Sequence, residues 1–221
     1  MNFLSFLEKN RPTEEDILIK NIKSDYSVLD VAPYVYNNLL LDPSLIILLK
    51  KINCKKLTII DIKGNVKRGI DFINRDAQKY RVGSSDLFRT REYIKSLTND
   101  NVKFVLSDAL LTPFTNESFD IILDRVTHEF IIFLATDLLS GDKIDKMIYE
   151  YNRILKRGGK IILFTNRNNR KLHRLLIDKL KMWNYDIASG KLRRIRDFIF
   201  EGKKIAAEYN PKYYIIATKL S

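Results

Sequence analysis

The sequence predicts an α/β fold: a mostly parallel seven-stranded sheet with helices on both faces and an antiparallel edge hairpin, preceded by an N-terminal helical extension. Three observations carry that expectation. From Lys56 onward, short apolar runs alternate with amphipathic stretches, as strands and crossover helices do. The runs are apolar throughout, which suits strands covered on both faces. The last two runs lie close together with no helix evident between them, the arrangement of an edge hairpin.

Residues 1–52 read as helical. Thr13 and Asp16 have the spacing of a capping box, and Asp42-Pro43 gives a cap followed by a first-turn proline. The domain boundary falls at 54/55, with residues 1–54 as the extension and 55–221 as the main domain. LTIID (57–61) is the first strand expected, followed by helical spacing at Val66, Ile70, Ile73, Ala77 and Tyr80. YRVG (80–83) is a weak strand and 87–97 a helix, while VKFVLSD (102–108) and FDIILDR (119–125) are stronger strands. Ile144, Met147, Ile148, Tyr151, Ile154 and Leu155 mark a helix that stops at Arg157-Gly158-Gly159. KIILFT (160–165) is another strand, a basic helix covers 169–183, and strands near 196–201 and 213–219 close the chain.

Composition narrows the function classes. Thirty-nine Lys and Arg against 27 Asp and Glu leave a net charge of +12. That surplus favours polyanionic partners, because each neutralised phosphate releases condensed counterions, although a lysine-rich solvated surface has the same composition. Cys54 is the single cysteine, and His128 and His173 are the two histidines, so no intramolecular disulfide and no Cys/His metal site is expected. The N-terminus lacks the pattern of a secretory signal. The longest apolar region, 38–50, is broken by Asp42 and Pro43 and is too short for a bilayer. A soluble, cytoplasmic protein without a membrane partner is the expectation.

Two stretches carry a family resemblance. VKFVLSDALLTPFTNESFDIILDR (102–125) is similar to the centre of class I methyltransferases of the small-molecule type, where a strand ending in Asp leads into a "lPf-x-d-x-sFD" loop and the next strand. YNRILKRGGKIILFT (151–165) resembles the later signature of that family, a helix ending "R-x-L-K-x-G-G" before a strand. The resemblance spans about residues 55–220 and implies a Rossmann-like sheet, S-adenosylmethionine as cofactor and methyl transfer as reaction. It implies Asp61, Gly64, Asp86 and Asp108 as cofactor-binding positions. Asp61 would end the first strand, Asp86 or Ser85 would meet the ribose hydroxyls near the end of the second, and Asp108 would accept from the adenine amino group. The plainer reading of Asp108 is a turn carboxylate.

The expected cofactor turn departs from D-x-G-x-G-x-G. After LTIID the chain reads Ile62-Lys63-Gly64-Asn65-Val66-Lys67, with Lys63, Asn65 and Lys67 at the glycine positions. Side chains there would narrow the space, and two lysines beside Arg68 would repel a sulfonium while attracting an anion. Impaired or lost cofactor binding follows from that turn. After the fourth strand, Asp124-Arg125-Val126-Thr127-His128-Glu129 stands in place of the [N/D]-P-P-[Y/F] turn of amino-methyltransferases. His128 is the candidate general base, with Glu129 or Asp124 as neighbour, against the plainer and preferred reading of a structural histidine.

Between Arg167 and Arg196 stand ten basic residues and two acids, Asp178 and Asp186. Leu172, Leu175, Leu176, Leu180 and Trp183 share one helical face, leaving Arg170, Lys171, Arg174 and Lys181 outward. Arg167, Arg170, Lys171, Arg174, Arg193 and Arg194 are the candidate contacts for nucleic acid, RNA or DNA, against a solvated face or an acidic protein partner. Two functions remain open: a methyltransferase acting on a recruited nucleic acid, or a catalytically inactive methyltransferase-fold module that binds nucleic acid or a protein complex. A third, an enzyme using an anionic ligand in the same crevice, is less favoured.

Overall fold

The structure is a computed structural model of the 221-residue chain. It describes residues 11–31, 55–61, 102–124, 141–165, 170–193, 197–200, 203–206 and 213–220. The expected elements at 66–80, 80–83 and 87–97 lie outside the described residues.

Helix α1 (Glu14–Asn21) opens on the capping box expected there: the Thr13 hydroxyl accepts from the Asp16 N–H at 3.1 Å, and the Asp16 carboxylate accepts from the Thr13 N–H at 2.7 Å. Strands β1 (Ser27–Val31), β2 (Lys56–Asp61), β3 (Val102–Leu106) and β4 (Phe119–Asp124) follow. Helix α2 (Gly141–Ile154) leads into β5 (Leu155–Thr165), and α3 (Arg170–Met182) into β6 (Tyr185–Lys191). The short strands β7 (Asp197–Phe200) and β8 (Lys203–Ala206) precede the last strand, β9 (Tyr213–Lys219).

Among the described residues, seven strands form one sheet in the order β3-β2-β1-β4-β5-β9-β6. Strands β1 to β5 run parallel, and β9 is antiparallel to both β5 and β6. This is the α/β architecture expected, with two corrections. Residues 27–31 belong to no helical extension; they are a central strand, registered with β2 on one side and β4 on the other. LTIID is therefore the second strand of the sheet. The partner of Tyr213–Lys219 is Tyr185–Lys191, a run whose basic and polar surroundings conceal it in the sequence. The strand expected near 196–201 pairs instead with β8 in a separate two-stranded hairpin.

Alternation along the strands assigns the two faces of the sheet. Leu29, Val31, Ile60, Ile122, Ile161, Leu163 and Ile215 share one face and form a single core with Ile144, Met147, Ile148, Tyr151 and Ile154 of α2 and Leu172, Leu176 and Leu180 of α3. Burying a side chain of this size contributes about 1.5–3 kcal/mol each. The opposite face is buried as well, at Val28, Ile59, Ile121, Leu123 and Ile162. Lys160 of β5 donates to Asn21 at the end of α1 at 2.9 Å, tying that helix to the sheet. Among the described residues no helix is long and apolar enough to cross a membrane.

The strands begin at an edge fastened by one carboxylate. Asp120 accepts from the Ser27 N–H at the start of β1 at 2.8 Å, and both its oxygens lie 2.9 Å from Lys156 Nζ at the start of β5. Helix α2 ends at Ile154, three residues before the expected stop, because N–H groups of the preceding loop cap its last carbonyls. Glu117 donates to Arg153 O at 3.0 Å and Ser118 to Ile154 O at 2.8 Å. The glycine pair then serves two needs. Gly158 takes a φ of +69°, and a Cβ on Gly159 would lie 2.9 Å from the Asp120 carbonyl. Gly159→Ala must push β5 off β4, and we expect it to lower stability by about 1–3 kcal/mol in urea unfolding.

Candidate functional site at the carboxyl edge

In an open parallel sheet, ligands bind where the strands end and the strand order reverses, which here is between β1 and β4. Val31 is registered with Asp124, and Asp30 with Leu123. Two acids, Asp30 and Asp124, thus stand on adjacent strands at the switch point, both 0% exposed. The Tyr151 hydroxyl on α2 donates to Asp124 Oδ2 at 2.9 Å. Burial pushes the Tyr151 hydroxyl well above its ordinary value, and the charges of Asp124 and Asp30 push it further. The phenol therefore stays protonated and remains a donor. By strand alternation Asp124 lies on the Val31 face, toward α2, and Asp30 on the opposite face with Leu123.

Asp61 ends β2, with its backbone registered on Leu106, the last residue of β3. Asp108 follows β3 and is exposed. Its Oδ1 accepts from the Leu110 N–H at 2.9 Å, and its backbone bridges to Leu111, so the turn role is present. A carboxylate has accepting capacity beyond one such bond. The chain thus places an acid at or beside the end of each of β1, β2 and β3: Asp30, Asp61 and Asp108.

Lys63, Gly64, Asn65 and Lys67 follow the second strand, not the first, and lie outside the described residues. The residues that follow the first strand's acid are Val31-Ala32-Pro33-Tyr34-Val35-Tyr36, without charge and without glycine. Asp86 and His128 lie outside the described residues, and the acid ending the second strand is Asp61. The signal for Asp30 was available as Val28-Leu29-Asp30-Val31, an apolar run closing on an acid, but helix cues on both sides hid it. Asp124 was seen only as a neighbour of His128, and Tyr151 only as core.

The two stretches that carry the resemblance meet in space. Arg153 grips Glu150 through Nε at 2.9 Å and Nη2 at 2.6 Å, and its Nη1 donates to the Phe114 carbonyl at 2.7 Å. Thr112 donates its N–H, at 2.8 Å, and its hydroxyl to Glu150 Oε1. Phe114 stands edge-on to Phe119 with ring centroids 4.9 Å apart. The loop that begins at Asp108 is thereby clamped to α2.

Of the basic positions, Lys171 and Arg174 are exposed on α3, and Arg193 is exposed with its N–H on the Pro12 carbonyl at 2.8 Å. Arg170 begins α3, while Arg167 and Arg194 lie outside the described residues. Leu172, Leu176 and Leu180 are buried, as their spacing predicts.

A family model described as a methyltransferase domain matches residues 63–163. Solved structures agree over nearly the whole chain. A protein of Bacillus halodurans, provisionally described as a methyltransferase, is 13% identical, with a TM-score of 0.55 over 94% of this chain and 99% of its own. The fold is that of class I methyltransferases. Precorrin-6y C5,15-methyltransferase of Geobacter metallireducens is 15% identical, with a TM-score of 0.54 over 93% of this chain and 88% of its own. An S-adenosylmethionine-dependent methyltransferase of Methanosarcina mazei is 16% identical, with a TM-score of 0.51 over 92% and 97%. At these identities the likeness speaks to the fold. No curated protein matches the chain.

The clamp gives a pH signature. Burial alone would raise the Glu150 carboxyl, but the bonds from Arg153 and Thr112 outweigh it and hold it below the ordinary glutamate value. A depressed carboxyl contributes stability above its unfolded value, about 4.3, and loses it as pH falls through the folded value. Unfolding of Glu150→Gln should therefore depend less on pH than wild type below about pH 5. A parallel pH profile for the two proteins would contradict the assignment.

Proposed function

We propose that the protein is an S-adenosylmethionine-dependent methyltransferase whose cofactor lies along the carboxyl edge of β1, β2 and β3. The observation that supports this reading is the strand order, in which an acid stands at or beside the end of each of β1, β2 and β3. By that resemblance Asp61 bonds the ribose hydroxyls and Asp108 accepts from the adenine amino group. Asp30, on β1, is the acid of the first strand in that order. The bound cofactor contributes an electrophilic methyl group. The protein's own task is to hold the acceptor in line with the methyl–sulfur bond, which is catalysis by positioning. His128 is the candidate base for an acceptor that must lose a proton. Ala32, Tyr34 and Tyr36 in place of glycines weaken cofactor affinity relative to a glycine-bearing turn.

The acceptor we propose is a nucleic acid. The net charge of +12 and the exposed Lys171, Arg174 and Arg193 favour a phosphodiester partner. The competing reading, a binding module that has lost the cofactor, draws on the same basic surface and on the glycine-free turn.

Calorimetry with S-adenosylhomocysteine separates the two. Binding in the micromolar range, about −8 kcal/mol, is expected. Asp61→Ala should weaken it by at least about tenfold, the loss of a hydrogen bond to a charged acceptor. Lys63→Gly with Lys67→Gly should leave affinity within about twofold, since those residues follow β2. An absence of both heat and thermal shift at millimolar ligand would leave the binding module as the function.

A further inference from the structure

Helices α2 and α3 lie on one face of the sheet and pack into the same core. Two contacts set their relation. Lys179 Nζ lies 2.7 Å from Asp145 Oδ2, and the Trp183 ring meets the Tyr149 ring with centroids 5.9 Å apart. Both contacts join residues 34 positions apart in the chain, so the helices run side by side in the same direction. Helix α2 ends where β5 begins, and α3 starts five residues beyond the end of β5, at the carboxyl edge. The Trp183 N–H bonds to the Lys179 and Leu180 carbonyls and continues the last turn of α3. From Lys171 to Trp183 the pair forms a strip about 18 Å long, leading from the mouth of the site towards the opposite edge of the sheet.

The outward side of this strip is basic. Its exposed cations are Lys143, Lys146, Lys171, Arg174 and Lys181, against exposed Asp142 and Asp178. Asp145 and Lys179 neutralise each other. Two large apolar side chains stand among these charges: Tyr149 is 57% exposed and Met182 79%. Trp183 packs against the core and meets the Tyr149 ring at an interplanar angle of 69°. A ring already held by its neighbour loses little freedom when a partner stacks on it. Protein interfaces concentrate aromatics and methionine at their centre but deplete lysine, and four of the five cations here are lysines. Phosphates need cations and unpaired bases need rings, so the strip suits a single-stranded nucleic acid better than a protein. The net charge of +12 acts in the same direction.

We propose that the outward face of α2 and α3 docks a single-stranded nucleic acid, with Lys146, Lys171, Arg174 and Lys181 on its phosphates and Tyr149 stacked on a base. The inference rests on the nucleic-acid reading above and not on cofactor binding. The strand is held outside the crevice, and the end of the strip at Lys171 brings it to the mouth.

Fluorescence anisotropy of the full-length protein tests this, with single-stranded RNA and DNA of about 20 nucleotides and the matching duplexes, between about 50 and 200 mM salt. Tyr149→Ala should weaken single-strand binding at least about fivefold without changing its salt dependence, while Tyr149→Phe, which keeps the ring, binds as wild type does. Lys171→Ala with Arg174→Ala, and Lys146→Ala with Lys181→Ala, should each lower the affinity and flatten the log–log salt slope by about 1.4, the share of two phosphate contacts on a single strand. All five side chains are exposed, so the variants keep the wild-type fold, which circular dichroism checks. The two cation pairs decide alone if Tyr149→Ala disturbs that fold. Wild-type affinity and salt slope in both cation pairs, in a protein that does bind nucleic acid, overturn the surface and leave the nucleic-acid reading standing. No binding by the intact protein at low salt removes both. Duplex bound as tightly as single strands, with Tyr149→Ala unchanged, overturns the stacking and with it the single-strand assignment. Polyglutamate competing as well as RNA at equal charge overturns the proposal in favour of an acidic protein partner.

Discussion

Asp120 is the constraint on which the sheet depends. Its carboxylate receives the first N–H of β1 and the ammonium of Lys156, so three strands start from one fixed point. A parallel sheet has no tight hairpins to set the relative height of its strands, and each crossover leaves room for slippage. One carboxylate shared between the starts of β1, β4 and β5 removes that freedom. Register then passes from the starts of the strands to their ends, which is how Val31 comes to stand beside Asp124 and Asp30 beside Leu123. The alignment of the two acids' strands at the carboxyl edge is thus a consequence of a fastening made at the far side of the sheet.

The clamp from α2 works on the same principle along a different path. Glu150 and Arg153 are three residues apart on one helix face, and together they hold Thr112 and the Phe114 carbonyl. The loop between β3 and β4 must cross from one edge of the sheet to the other, and it would be long and poorly held without those bonds. Its cost in buried charge is offset because the fork geometry leaves neither partner without hydrogen bonds. Asp108 inherits a fixed position from that clamp.

Much of this was legible in the sequence, and the failures have physical causes. The helix at 144–155 and the strands at 102–106, 119–124 and 160–165 carried strong periodicity or unbroken apolar runs, and all appear. The Thr13 capping box was readable because it is local. Strand β1 was not. Five residues between a capped helix and a lysine-bearing segment give too short a run to establish a period, and its identity comes from two neighbours far away in sequence. Strand β6 failed for a related reason: Tyr185-Asp186-Ile187-Ala188-Ser189-Gly190-Lys191 lies at an edge, half polar, and pairs only with the chain's last strand. Missing β1 made LTIID the first strand instead of the second, while the strands at 102–106 and 119–124 keep third and fourth place.

The residues by which this chain is recognised divide from those that would do its chemistry. Phe114, Phe119, Asp120, Arg153, Lys156 and the glycine pair are spent on folding. Selection for a stable fold alone would preserve that signature, whatever the protein's chemistry. Kinship in this lineage is therefore written in its scaffold, and its occupation must be sought in the few positions that the scaffold does not need.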